Sequence, residues 1–68
     1  MLDNLREINF PPVDKSKYFV YLLSCSDNSL YCGSVSYSLD ERVRRHNSGD
    51  GAIWTRMRRP VKLVYYED

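Results

Sequence analysis

Long apolar runs and excess charge are both missing from this sequence of 68 residues, whose formal net charge is only +1. No stretch approaches the ~18 to 20 apolar residues of a membrane span, so no membrane partner is expected. Residues Met1 to Arg6 have neither a basic region nor an apolar region, which predicts no signal peptide and a cytoplasmic location. Six tyrosines and an aromatic content of 13% exclude a disordered segment.

Cysteine is scarce, with Cys25 and Cys32 as the two examples. They lie on neighbouring strands of a predicted hairpin, so one disulfide could join them, but such bridges are rare inside cells. We therefore expect two free, buried thiols. A chain this short buries only about 60% of the surface that its unfolded form exposes, which favours one small domain or part of one.

Two runs of strand-forming residues, YFVYLLSC from Tyr18 and LYCGSV from Leu30, are separated by four polar residues. This pattern predicts a β-hairpin. The preceding residues 1–17 contain a Pro-Pro pair and a polar run, and we interpret them as a loose N-terminal arm. The domain itself is predicted to cover residues 18–68.

The length of the hairpin loop decides which side chains share a face of the sheet. A two-residue loop would place Tyr21 and Tyr31 on opposite faces. A three-residue loop, with Asn28 in the left-handed conformation, would pair Cys25 with Ser29 and put both tyrosines on one face. The three-residue loop is the favoured interpretation.

A helix is predicted after the hairpin, because Ser38 and Glu41 form a capping box and Gly49 offers a left-handed stop. Asp50-Gly51 and Arg58-Arg59-Pro60 then bracket a predicted polar loop, and strand-forming residues recur over Val61–Tyr66. The expected fold is α+β, a three-stranded antiparallel sheet in the order ββαβ. Both faces of the hairpin are apolar, which predicts a second covering layer. The N-terminal arm or another subunit could provide this layer, and the favoured interpretation is a C-terminal helical layer that would follow Asp68.

Positive charge is concentrated in residues 42–62, which contain seven basic residues and a single acidic residue, Asp50. A one-sided basic surface is typical of a protein that binds a polyanion, although a solvated charged face would look the same. Trp54 lies within this segment and could stack on an unpaired base or serve as an anchor at the edge of the core. The candidate nucleic-acid-binding residues are Arg44, Arg45, Trp54, Arg56, Arg58 and Arg59.

The inward stripe of the predicted helix includes Arg42 and His46, where an amphipathic helix would carry apolar residues. In a purely structural interpretation, the arginine reaches over the sheet edge and the histidine bonds to a backbone carbonyl. If both converge with Tyr21 and Tyr31, the group suits phosphodiester hydrolysis, since it offers a base and a cation that matches phosphate oxygens. Tyrosine has an ordinary pKa near 10, so that base would need activation.

Five ordered segments of the chain resemble the GIY-YIG endonuclease domain family, and its small, single-domain bacterial branch in particular. Phe19-Val20-Tyr21 stands where the family has GIY, and Tyr31-Cys32-Gly33 stands where it has YIG. The resemblance covers residues 18–67. The remaining matching segments are LDERVRRHNSG from Leu39, WTR from Trp54 and RPVKLVY from Arg59.

The resemblance implies a metal-dependent nuclease that cleaves DNA with Mg²⁺ or Mn²⁺. Carried over to this sequence, Tyr21 or Tyr31 would be the general base or its hydrogen-bond partner, and Arg42 the cation that stabilises the transition state. His46 would orient the phosphate or a tyrosine, and Gly33 would let backbone or substrate approach the sheet.

Two departures from the family pattern follow. Ser34 occupies the position where some members have a lysine. The family's metal-binding glutamate lies on a helix after the third strand, and Glu67 does not match that position. Activity of these 68 residues is therefore an open question, and two alternatives stand beside it: a non-catalytic nucleic-acid-binding module, and a protein-interaction fragment that self-associates through its uncovered sheet face.

Overall fold

The computed structural model describes residues 6–36 and 38–68 of the chain. Its three strands form one antiparallel sheet in the order β2-β1-β3, which confirms the α+β class predicted from the sequence. One element was not expected, because a four-residue helix lies in the segment that we interpreted as a loop. The elements are β1 (Tyr18–Ser24), β2 (Leu30–Ser36), α1 (Leu39–Ser48), α2 (Ile53–Arg56) and β3 (Lys62–Glu67).

The hairpin between β1 and β2 has the three-residue loop favoured from the sequence. Asn28 adopts a φ of 67°, and the amide of Cys25 donates to the carbonyl of Ser29 over 2.9 Å. In the resulting register Leu23 pairs with Tyr31, so Tyr31 points to the same face as Tyr21. The loop therefore decides that both tyrosines face the helices.

Helix α1 begins and ends where its capping residues predict. The Ser38 hydroxyl accepts from the Glu41 amide over 3.4 Å, and Gly49 ends the helix with a φ of 94°. Leu39, Val43 and His46 are its buried residues. Arg42, the fourth member of the predicted stripe, is only half-buried.

The core lies between the sheet and the helices. Its buried apolar side chains are Phe19, Tyr21, Leu23, Cys25, Leu39, Val43, Val61 and Leu63. The opposite face of the sheet exposes Tyr18, Val20, Leu30 and Tyr65. Both cysteines are free, as predicted, but Cys32 is exposed rather than buried because it pairs with Leu22 on this open face.

The N-terminal arm is attached to the sheet, which differs from the loose arm that we expected. The amide of Ile8 donates to the carbonyl of Leu63 in the edge strand β3 over 2.9 Å, and Phe10 packs against the core. The prediction about a signal peptide falls mostly on residues 1–5, outside the described ranges. In the described parts of the chain, no helix has the length and apolar character needed to cross a membrane.

Candidate active site

The Tyr21 ring lies over strand β2, where its partner in the sheet, Gly33, has no side chain to block it. A Cβ at Gly33 would lie 2.4 Å from the phenolic oxygen of Tyr21 and 2.5 Å from Cζ. Real atoms cannot approach that closely, so any other residue here would displace the ring. Gly33 thus lets Tyr21 cross its neighbouring strand toward α1.

A chain of buried hydrogen bonds continues from Tyr21 through α1 to α2. The Tyr21 oxygen lies 3.0 Å from Nε2 of His46, and Nδ1 of His46 lies 2.8 Å from the Thr55 hydroxyl. Thr55 in turn donates to the carbonyl of Ala52 over 2.9 Å. Tyr21, His46 and Thr55 each have a relative exposure of 0%. Both ring nitrogens of His46 are therefore bonded to side chains, whereas the structural interpretation of the sequence expected a backbone carbonyl.

Burial shapes the protonation of this chain. It lowers the pKa of His46, with a smaller contribution from the positive charge of Arg42, so the buried imidazole is neutral near neutral pH. Burial also raises the pKa of Tyr21, while Arg42 opposes that effect. The Arg42 guanidinium is therefore close enough to Tyr21 to influence its ionisation.

Tyr31 lies on the outer side of the same group and is half-buried. Its ring meets the His46 ring edge-on, with centroids 5.3 Å apart, and stacks on Trp54 at 5.9 Å. The Arg58 guanidinium carbon lies 3.8 Å from the centre of the Trp54 ring. Trp54 therefore contacts Tyr31 and Arg58 while 38% of it stays exposed, and stacking on a base remains a prediction beside the role of an edge anchor.

Arg42 borders a cleft of about 230 Å³ at the N-terminal half of α1. Its Nε is buried and has no hydrogen-bond partner within residues 6–36 and 38–68. A buried polar group of a cation without a partner is costly, and an oxyanion in the cleft would satisfy it. The cleft is lined by Val35, Ser36, Ser38, Glu41, Arg42 and Arg45.

Most of the basic residues predicted to bind nucleic acid have partners within the chain. Arg44 pairs with Asp40, and Arg58 pairs with Asp27. Arg56 donates to the carbonyl of Gly49 at the end of α1, and Arg59 donates to the carbonyls of Asn47 in α1 and Arg56 in α2, so both brace the loop that carries α2. Arg45 is the member of the set that lines the cleft beside Arg42.

Two residues near the site were missed by the sequence reasoning, Thr55 and Gly51. A Cβ at Gly51 would lie 2.4 Å from Nδ1 and 2.8 Å from Cα of His46, so the loop can pass the imidazole only with glycine there. Gly51 follows Asp50 in a pair typical of turns, which concealed this packing role. Thr55 carried no signal, because its partner His46 lies nine positions away on another helix.

The residues of the site do not form a hard-cation site by themselves. Across the described ranges, no group of three His, Cys, Asp or Glu side chains is placed to hold a metal ion. Glu67 pairs with Val20, whose side chain lies on the face opposite Tyr21, so its carboxylate points away from Tyr21 and Tyr31 and accepts from Tyr65 instead. The Mg²⁺ or Mn²⁺ expected from the family resemblance therefore lacks its oxygen ligands among these residues.

Comparison with known proteins identifies the family of the chain. The family model of the GIY-YIG catalytic domain matches residues 17–68. The chain belongs to the GIY-YIG family. The resemblance stated from the sequence is thereby confirmed, and the chain is a nuclease-type domain with the α+β fold described above.

Several curated relatives of this GIY-YIG domain are named UPF0213 proteins. One from Pediococcus pentosaceus is 50% identical over 50 residues, which are 74% of this chain and 52% of the relative. One from Staphylococcus epidermidis is 51% identical over 51 residues, or 75% and 61% of the two chains. One from Haloquadratum walsbyi is 50% identical over 50 residues, or 74% and 55%.

The chain thus spans between about half and three fifths of the length of these relatives. No solved structure matches the chain.

Proposed function

We propose that this GIY-YIG domain serves an endonuclease that hydrolyses phosphodiester bonds of DNA. The observation that carries the proposal concerns Arg42, which lines an open cleft and whose buried Nε has no partner in the described ranges. A phosphodiester oxygen is an acceptor of the right charge for it, and a guanidinium can hold two such oxygens at once. Arg45, on the same wall of the cleft, adds a second positive charge.

The different burial of the two tyrosines favours different roles for them. Tyr21 is fully buried, so it cannot touch a phosphate directly, whereas Tyr31 is half-buried. Burial raises the pKa of Tyr21, so this phenol is neutral near neutral pH. We assign Tyr31 as the general base that activates water, and Tyr21 with His46 as the buried support of the site.

Arg42 is assigned to the developing negative charge of the pentavalent phosphorus. A fixed positive group in a site of restricted water access stabilises such charge more strongly than it could in bulk water. His46 is assigned to orient Tyr21, since its Nε2 lies within hydrogen-bond distance of the Tyr21 oxygen. Gly33 is assigned the structural role of admitting the Tyr21 ring.

The GIY-YIG family generally uses divalent metals, and we propose that cleavage requires Mg²⁺ or Mn²⁺ in the cytoplasm. Such an ion would stabilise charge on the phosphate and lower the pKa of bound water. The residues described here do not fit a complete site for it. No step assigned to Tyr31, Arg42 or His46 therefore depends on the metal.

The test is cleavage of supercoiled plasmid DNA in Mg²⁺ or Mn²⁺, with EDTA and the Tyr31→Phe variant as controls. The S. epidermidis relative, assayed in parallel, shows whether the assay suits this family. Metal-dependent nicking by the chain, lost in both controls, supports the proposal. Absence of nicking by both folded proteins contradicts it. Nicking by the relative alone makes this chain a non-catalytic member.

A second candidate is a nucleic-acid-binding module without catalysis, which the incomplete metal site favours. Such a module would bind DNA more weakly as salt rises. A plot of log K against log salt concentration should have a slope of about −0.9 for each phosphate neutralised. Binding that is indifferent to salt would contradict it. Self-association through the open sheet face, with Tyr18, Val20, Leu30 and Tyr65, stays a prediction that sedimentation at several concentrations would test.

A further inference from the structure

We infer that Thr55 is a positioning residue that fixes the tautomer of His46, and thereby makes Tyr21 present its oxygen lone pairs, and not its proton, to Arg42. This inference rests on the proposed function for its catalytic meaning. Its structural content concerns only hydrogen-bond direction and can be measured without any substrate.

The direction of the chain is set at Thr55. A threonine hydroxyl has one proton to donate, and the Thr55 oxygen lies 2.9 Å from the carbonyl of Ala52, which can only accept. With its proton used there, the Thr55 oxygen must accept from Nδ1 of His46, 2.8 Å away. Nδ1 therefore carries the imidazole proton.

The second step concerns the other ring nitrogen. A neutral imidazole protonated on Nδ1 has a lone pair on Nε2, so it accepts from the Tyr21 hydroxyl over 3.0 Å. The imidazole is neutral because burial and the charge of Arg42 both lower the pKa of His46. The complete order of donation runs from Tyr21 to His46, from His46 to Thr55, and from Thr55 to Ala52.

The third step concerns the side of Tyr21 that faces the site. With its proton directed at His46, the Tyr21 oxygen has its remaining lone pairs free to accept from a cation. The neighbouring Arg42 opposes the rise in the pKa of Tyr21, as expected of a guanidinium that interacts with this oxygen. The opposite tautomer would make Nε2 a donor to Tyr21 and turn the phenolic proton toward Arg42, a clash of two donors.

The packing around His46 leaves the imidazole ring little freedom to rotate or shift away from these hydrogen bonds. Four elements contribute groups to it: Tyr21 from β1, Tyr31 from β2, Arg42 from its own helix α1 and Thr55 from α2. The backbone at Gly51 passes so close that even a Cβ there would overlap Nδ1. The ring is thus confined, and Thr55 alone among these groups chooses which nitrogen is protonated.

Nitrogen-15 NMR of the imidazole tests the inference directly, and His46 is the single histidine of the chain, so no assignment problem arises. Near pH 7.5 we expect the Nδ1-protonated tautomer, seen as one protonated and one unprotonated nitrogen with the corresponding two-bond couplings. Thr55→Val keeps the shape and removes the hydroxyl, so it should produce a mixture or the Nε2-protonated form. Thr55→Ser restores the hydroxyl and should restore the Nδ1-protonated form.

Two results would overturn the inference: an Nε2-protonated imidazole in the unaltered chain, or an unchanged tautomer in folded Thr55→Val. If Thr55→Val does not fold, the spectra of the unaltered chain and Thr55→Ser still decide, since both must show the Nδ1-protonated form.

Cleavage supplies the catalytic readout. Single-turnover cleavage should fall about tenfold in Thr55→Val, the effect of one buried hydrogen bond, with DNA affinity unchanged and recovery in Thr55→Ser. An unchanged rate in Thr55→Val would contradict the catalytic part of the inference. Absence of cleavage by every protein, with the expected spectra, would overturn the proposed function and support the hydrogen-bond order alone.

Discussion

The phenolic oxygen of Tyr21 lies 3.0 Å from Nε2 of His46, although both side chains are fully buried and their positions are 25 residues apart. This contact joins the first strand of the sheet to the last turn of α1. It also separates an inner part of the candidate site that substrate cannot reach from two half-buried side chains outside it, Tyr31 and Arg42. The predictions below separate the two parts.

Replacing Tyr31 by Phe should reduce DNA cleavage at least about 100-fold, because general-base catalysis contributes that much or more. The ring and its contacts with His46 and Trp54 remain, so the free energy of unfolding should change little. Plasmid nicking and urea unfolding measure the two quantities. Tyr65→Phe, on the exposed opposite face, is the matched control and should cleave normally. Equal rates for the two variants would remove Tyr31 from the mechanism.

Replacing Arg42 by Met should reduce cleavage strongly with little change in stability. The interaction of the guanidinium with the Tyr21 oxygen is lost, whereas the buried Nε has no partner in the described ranges to lose. The free energy of unfolding should therefore change by about 1 kcal/mol or less. Cleavage should fall about 100-fold or more, as when a group that stabilises transition-state charge is removed.

Arg44→Met is the control for the Arg42 variant, since Arg44 forms an exposed pair with Asp40. Its cleavage rate and stability should stay close to those of the unaltered chain, because surface pairs contribute about 1 kcal/mol or less. A strongly destabilised Arg42→Met protein would show that Arg42 is structural.

Replacing Gly33 by Ala should destabilise the fold by about 1 to 3 kcal/mol, because the new methyl group would overlap the Tyr21 ring. Urea unfolding measures the loss, and Ser34→Ala, whose side chain points to the other face, should cost much less. Retention of full stability in Gly33→Ala would mean that Tyr21 can rotate away from β2 without cost.

Acid should weaken the fold through His46. Burial lowers the pKa of His46 in the folded chain. At a pH below about 6.5, the ordinary pKa of histidine, the imidazole is therefore protonated in the unfolded chain but not in the folded one. The free energy of unfolding should therefore fall as pH drops below this value, until the lower pKa of the folded state is reached. Urea unfolding between about pH 7.5 and 5.5 measures the slope. His46→Gln should show a flatter dependence, and an equal slope in both proteins would assign the effect to other groups.

Arg45 and Arg59 should differ in what they contribute. Arg45 lines the cleft, so Arg45→Gln should weaken DNA binding and reduce the salt slope by about 0.9, the value for one phosphate contact. Arg59 donates to backbone carbonyls of α1 and α2, so Arg59→Gln should mainly lower stability. Fluorescence anisotropy at several salt concentrations distinguishes them. Identical salt slopes would contradict the assignment of Arg45.

Local chemistry made much of the fold predictable. The turn residues before β2 allowed the shared face of Tyr21 and Tyr31 to be favoured, and the caps at Ser38 and Gly49 predicted the limits of α1. These signals act between near neighbours in sequence, where one residue type decides the backbone conformation. Helix α2 escaped prediction because four residues, bounded by a glycine-containing turn and a proline, carry too little periodicity to distinguish a helical turn from a loop.

The site was less predictable than the fold for a physical reason. The chemistry of His46 is decided by Thr55 and Gly51, whose contacts with it depend on how the loop after α1 folds back. Likewise, the charges of Arg56, Arg58 and Arg59 were visible in the sequence, but their backbone and side-chain partners were not. Residue type predicts which hydrogen bonds and ion pairs a side chain can form, but only the tertiary structure shows whether partners within the chain already form them.

The left-handed Asn28 carries a consequence for variants that never touch the pocket. A variant that closes a two-residue turn at Asp27-Asn28 instead would pair Cys25 with Leu30 and shift every later position of β2 by one. The backbone ladder would re-form, yet Tyr31 would pair with Ser24 on the exposed face and leave the imidazole without its aromatic neighbour. A folded, inert version of this domain is therefore one register shift away.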